Sequence, residues 1–166
     1  MVECTCSVNW YRHPLDRFAE GRFTRNHTWR FDGGVTVPAS ASPHIVPAPF
    51  SARNRVDPEE AFVAAVASCH MLTFLYLACR EGYTVESYSD APVGILASDD
   101  AGFRSMTCIT LHPKVEFDEP VCEQCVAQLH AEAHEYCFIA RSIKAEVRIE
   151  LGFDAPAAVA AAHAHA

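Results

Sequence analysis

The chain has 166 residues, half of them apolar, with a formal net charge of −8. That length suits one compact domain with a sizeable core. The acidic balance and the scattered single arginines (Arg12, Arg17, Arg22, Arg25) leave no basic patch to neutralise phosphates, so neither nucleic acid nor an anionic membrane is expected as a partner.

The opening Met1-Val2-Glu3-Cys4-Thr5-Cys6 lacks the basic and apolar regions of a secretory signal. A cytoplasmic location is therefore expected. In a reducing compartment the eight cysteines are expected to be packing residues, metal ligands or redox groups rather than stable structural disulfides.

Residues 1–20 show no firm period and read as an irregular arm. From Phe23 the pattern alternates: Phe23, His27, Trp29 and Phe31 share one face, and Thr24, Asn26, Thr28 and Arg30 the other. Asp32-Gly33-Gly34 predicts a tight turn into a return strand at Val35 and Val37. Four prolines make residues 38–56 a loop.

Asp57-Pro58-Glu59-Glu60 is a helix start: Asp57 as N-cap, Pro58 in the first position and Glu60 closing a capping box. The helix is predicted to run to about Arg80, with Gly82 as its stop. Ala61–Cys79 carries no charge and is about long enough to span hydrocarbon, but Ser68, His70, Thr73 and the many alanines favour a buried central helix. A helix apolar nearly all round must be covered on every side, and a second subunit is the simplest cover for the face the sheet leaves open.

Strands are predicted over roughly 83–97 and 103–117, a second helix from near Asp118, with Pro120 in its first turn, to about His134, and a last strand from Ser142 to Leu151. The Ala- and His-rich tail, 154–166, is expected to fray. No internal repeat is visible, and 21–153 reads as a single domain. No phosphate-binding glycine loop, serine-nucleophile motif or dinucleotide fingerprint appears, and neither a metal nor an organic cofactor is expected.

Cys69 lies midway along the long helix. Alone it would be a space-filling cysteine. In context, Asp57-Pro58-Glu59 followed ten residues after Glu59 by Cys69, across an Ala-rich helix, resembles the signature of the OsmC/Ohr family, the osmotically inducible and organic hydroperoxide resistance proteins. The family's second cysteine, after its second helix, matches Cys137 in Ala133-His134-Glu135-Tyr136-Cys137. Phe138 follows it where the family's better-known members carry Pro. The resemblance covers about residues 27–150.

It implies an α+β fold: β-hairpin, long buried central helix, antiparallel strands, second helix and final strand, in an intertwined homodimer. It also implies a cysteine-based peroxidase that reduces organic hydroperoxides in oxidative-stress defence. Cys69 would be the attacking cysteine, Cys137 the resolving one, and Arg30 and Glu59 the arginine and glutamate that assist. The turn after Arg30 is one residue longer than in the family, so Arg53 and Arg55 stay open as the arginine. The electron donor would be a dithiol reductant, in the family often a lipoyl-bearing protein.

The chemistry needs these residue types. The thiolate attacks the peroxide, and a cysteine with an ordinary pKa of about 8.5 needs a nearby cation to ionise at neutral pH. Arginine stays charged, and a glutamate can hold its planar fork. Attack gives a Cys69 sulfenic acid and an alcohol, and Cys137 condenses with the former to a disulfide. Ten residues of helix rise roughly 15 Å, so Glu59 and Cys69 of one chain cannot share a site. The expected site therefore lies at a dimer interface, with Arg30 and Glu59 from one chain and Cys69 and Cys137 from the other.

Two other readings stay open. In one, a non-catalytic or redox-sensing protein of this fold binds a small lipophilic ligand at the dimer interface. In the other, Cys122 and Cys125 with His130 and His134 hold a metal, although Cys122 to His134 spans roughly 18 Å of helix, too far for one zinc. A redox role for the C-x-x-C remains a further possibility. His70 is expected to be structural, and Phe62, Val66, Phe74 and Phe138 to be core.

Overall fold

A computed structural model describes residues 1–152. The tail expected at 154–166 lies outside the described residues. The chain divides into two compact units, Met1–Phe62 and the residues from Val63 onward.

The first unit is built on a three-stranded antiparallel sheet, β1 (Cys6–Asn9), β2 (His27–Phe31) and β3 (Thr36–Ala39) in that order. β2 and β3 form the expected hairpin, with Trp29 opposite Val37 and Arg30 opposite Thr36. The arm is more ordered than its sequence suggests. Cys6–Asn9 pairs along β2, the Trp10 indole N–H donates to the Thr24 carbonyl at 2.7 Å, and Trp10, Phe18 and Phe23 cluster with ring centroids 4.4–5.8 Å apart. Three aromatic rings spaced over fourteen residues carry no strand or helix period, so pattern reading missed them.

Helix α1 (Pro58–Arg80) begins in the first unit and ends in the second. Its start is the capping box the sequence spells. The Glu60 N–H donates to Asp57 Oδ1 at 2.8 Å, and the Asp57 N–H donates to Glu60 Oε2 at 3.3 Å. Gly82, at φ +83°, ends it in the left-handed region where glycine carries no Cβ penalty. Among the described residues α1 is the one helix long and apolar enough to cross a membrane. Its Val66, Ala67, His70, Phe74, Leu77 and Ala78 face is nevertheless buried within the chain.

The second unit contains β4 (Val85–Ser89), β5 (Val93–Ser98), β6 (Arg104–Leu111), β7 (Lys114–Phe117), α2 (Glu123–Tyr136) and β8 (Glu146–Ile149). Each of the two long strands expected here is split in two. Asp90-Ala91-Pro92 interrupts the first and His112-Pro113 the second, because proline donates no ladder hydrogen bond. The halves then pair antiparallel as β4 with β7 and β5 with β6, and β8 joins β6 in parallel. Phe74, Leu77 and Ala78 of α1 pack on Leu129 and Ala133 of α2, flanked by Tyr83, Val85, Tyr88, Val115 and Phe117. Burying Phe74 and Leu77 stabilises the unit by about 1.5–3 kcal/mol each.

Gly94 on β5 sits close against α1 and β6. A Cβ there would meet Val63 Cγ2 at 2.5 Å and Met106 Sδ at 2.8 Å. The thioether can swing away, but the branched valine methyl has little freedom. Gly94→Ala is expected to lower stability by about 1–3 kcal/mol in urea denaturation, and adding Val63→Ala should recover part of that loss.

Candidate active site

Cys69 lies on the fourth turn of α1 and is half-buried. Cys137, the first residue past α2, is fully buried. The two thiols are neighbours, although 68 positions separate them in the chain. Burial pushes the Cys137 thiol up from its ordinary pKa, and the contact with Cys69 pushes it further. The Ala140 N–H, 3.5 Å from Cys137 Sγ, and the Ile139 N–H partly oppose this, and no cation is among the groups that shift Cys137.

Exposure separates the two sulfurs chemically. Solvent reaches Cys69 and does not reach Cys137, so a solute oxidant meets Cys69 first. Cys137 stays a thiol beside it, positioned to condense with an oxidised partner. A turn of 3-10 helix, Ala140–Ser142, follows Cys137 and is tied back by the Arg141 N–H to the Cys137 carbonyl at 3.1 Å and by the Ser142 hydroxyl to the Phe138 carbonyl at 2.7 Å. Phe138, expected in the core, is 80 % exposed because the chain turns outward directly after Cys137.

The other expected site residues belong to the first unit. Arg30 is an exposed residue of β2, between Ser7 and Thr36 in register. Arg53 is exposed and Arg55 half-buried in the loop before α1. Glu59 is half-buried, and its Oε2 is shielded from solvent without a hydrogen-bond partner. Glu60 is taken up by the capping box. Roughly 15 Å of helical rise separates Glu59 from Cys69 along α1.

Next to the thiol pair is a group the sequence reading underrated. His70 and His130 are 1 % and 2 % exposed, their rings are parallel to within 3°, and His70 Nε2 is 3.0 Å from His130 Nδ1. His130 also stacks on Phe74, with centroids 4.2 Å apart. One ring must donate and the other accept, so the bond requires at least one neutral imidazole. Burial lowers the His70 pKa to about 4, helped by His134, and lowers His130 to about 3, helped by His70. Both rings are therefore neutral at pH 7. The readable signal was spacing: His130 continues the apolar stripe of Val126, Leu129 and Ala133 on α2.

Cys122 and Cys125 are joined by a disulfide. This corrects the metal reading, whose two sulfurs are bonded to each other. The cause is local. α2 starts at Glu123, later than expected, so Cys122 is its N-cap, and the turn brings the two Cα atoms to 5.2 Å. Among the described residues no group of three or more His, Cys, Asp or Glu is arranged to hold a metal.

Residues 51–152 match the family model described as OsmC-like protein. The chain belongs to the OsmC-like family. Its fold matches the solved structure of an OsmC-like protein of unknown function from Vibrio cholerae O1 biovar eltor str. N16961, at 47 % identity over 91 % of this chain and 99 % of that one, with a TM-score of 0.87. It also matches the organic hydroperoxide resistance protein OhrB of Bacillus subtilis, at 18 % identity over 90 % and 98 % of the two chains with a TM-score of 0.65. A third match is an organic hydroperoxide resistance protein from Elizabethkingia anophelis, at 13 % identity over 91 % and 94 % with a TM-score of 0.67. No curated protein matches the sequence. The α+β fold expected from the resemblance is that of these structures.

The histidine pair sets a pH dependence. Lowered folded pKa values mean that the unfolded chain binds more protons below about pH 6.5. Stability from the pair is complete above that pH and is lost progressively as pH falls toward 4 and then 3. The loss approaches about 1.4 kcal/mol per histidine per pH unit in the middle of the window. Urea midpoints at pH 7.5, 5.5 and 4.5 should fall steeply for the native chain and much less for a His70→Leu/His130→Leu variant.

Proposed function

We propose that this protein is a thiol-dependent peroxidase that reduces organic hydroperoxides to alcohols in oxidative-stress defence. Membership of the OsmC-like family, with fold neighbours named for organic hydroperoxide resistance, supports the stress-related role. The observation that carries the chemistry is the contact between a half-exposed Cys69 thiol and a buried Cys137 thiol.

The Cys69 thiolate attacks the outer peroxide oxygen, the O–O bond breaks, and the alcohol leaves. Cys137 then displaces water from the sulfenic acid to give the Cys69–Cys137 disulfide. A dithiol reductant, a lipoyl-bearing protein being one such donor, restores the pair by exchange. The thiolate needs a cation, and we assign it to Arg30 of a second copy, held by that copy's Glu59, in a homodimer. Two features favour this. A Glu59 carboxylate oxygen lies out of solvent without a partner, which suits an incoming guanidinium. Leu72 and Tyr76, on one chain's α1, are 61 % and 64 % exposed and suit an apolar interface. We infer a reducing, cytoplasmic setting, which a dithiol donor suits.

The alternative is a redox-sensing member of the family that binds a lipophilic ligand at the dimer interface and does not turn over. Phe138 directly after Cys137, where the family's better-known members carry Pro, favours it.

One equivalent of cumene hydroperoxide should remove two thiols per chain, leaving the Cys122–Cys125 pair out of the count. Cys69→Ser should lower peroxide consumption at least roughly 10³-fold. Cys137→Ser should give one rapid turnover, a sulfenic acid trapped by dimedone, and then stop. Arg30→Ala should raise the pH at which Cys69 is alkylated, while Arg53→Ala and Arg55→Ala leave it in place. Oxidation without cycling in the presence of a dithiol would decide for the sensing alternative, and full activity in a monomer would overturn the shared site.

A further inference from the structure

A second sulfur pair lies at the other end of α2. Cys122 is exposed and Cys125 half-buried, so the disulfide between them can be approached from solvent. Cys122 is also the N-cap of a 14-residue helix, and its Sγ accepts the Cys125 N–H at 3.1 Å. A sulfur there sits where backbone N–H groups and the positive end of the helix dipole favour negative charge. The same geometry lowers a thiol's pKa and makes it a good leaving group. A cleft of about 170 Å³ opens beside Cys125, lined by Tyr83, Leu129, Glu81 and Glu132, which leaves room for a partner's sulfur and its flanking chain.

We infer that Cys122 and Cys125 form a second, reversible dithiol–disulfide centre that accepts two electrons from an external dithiol. A donor thiolate attacks the exposed Cys122 Sγ and forms a mixed disulfide, the Cys122–Cys125 bond breaks, and its electron pair leaves on Cys125, which takes up a proton. The donor's second thiolate then attacks the donor's own sulfur in the mixed disulfide. Cys122 departs as a thiolate held by the Cys125 N–H and is protonated, and the donor leaves as a cyclic disulfide. Two electrons and two protons pass from donor to protein.

The pair acts on external partners, not on its own chain's Cys69 and Cys137. The length of α2, roughly 20 Å, separates Cys122 from Cys137, far beyond the 7 Å between Cα atoms that direct exchange allows. The inference therefore stands apart from the peroxidase reading and involves no peroxide.

The test is equilibration of the full chain, native and Cys69→Ser, in buffers of reduced and oxidised dithiothreitol at varied ratio. Acid quenching, alkylation and peptide mass analysis then report the segment holding Cys122 and Cys125. The expected result is conversion from no label to two labels along a two-electron curve, with the same midpoint in Cys69→Ser, and no unlabelled state in Cys122→Ser or Cys125→Ser. Two results overturn the inference. One is two labels at every ratio, meaning that no disulfide forms. The other is a disulfide that excess reduced dithiothreitol opens only after unfolding, meaning an inert staple.

Discussion

The hydrogen bond between His70 and His130 fixes how the two helices of the second unit meet, and the rest of that unit's chemistry depends on it. Two parallel imidazoles joined edge to edge, 3.0 Å apart at their nitrogens, tolerate little rotation of either helix about its axis. Cys69 directly precedes His70, and Cys137 comes one residue after the end of the helix that carries His130. Once the rings are in register, the two sulfurs are as well. A slip of one residue on either helix would turn the partners apart by about 100°. It would also leave ring nitrogens without a bond in an apolar core, at a cost of about 1–3 kcal/mol each.

The bond also sets the electrostatics. Below it, Phe74, Leu77, Leu129 and Ala133 exclude water, so charged imidazoles are strongly disfavoured there. The same exclusion holds Cys137 as a thiol. A neutral, buried thiol beside a solvent-reached one is an asymmetric pair. In the proposed cycle that asymmetry would direct the first oxidation to Cys69 and keep the second sulfur protected until a sulfenic acid forms next to it. In this protein burial is the main cause that distinguishes the two cysteines, and the neighbouring Cys69 adds to it.

The elements legible in the sequence were those whose cause is local. Asp57, Pro58 and Glu60 spell the start of α1, and the structure shows both reciprocal hydrogen bonds of the capping box. Asp32-Gly33-Gly34 spells the β2–β3 turn, and the Cys69–Cys137 pairing followed from a family resemblance. The remainder depends on distant partners. Strand β1 forms because β2 offers a free edge, and no alternation in Cys6–Asn9 announces it. Pro92 and Pro113 were visible, but their effect, two short pairings in place of one long hairpin, depends on which strand halves meet. The histidine pair was hidden because each ring, read alone, sits where a core residue would sit.

Helix α2 ties these threads together because its two ends impose opposite conditions on sulfur. Its C-terminal end, where carbonyl groups point outward and the dipole is negative, disfavours a thiolate, and Cys137 there is buried and kept protonated. Its N-terminal end favours a thiolate, and Cys122 there is exposed and accepts a backbone N–H. One helix therefore carries a sulfur suited to wait beside an oxidised neighbour and another suited to exchange with a partner from solution. Moving either cysteine by one turn into the helix would remove the difference, since interior backbone N–H groups are already bonded to carbonyls four residues back.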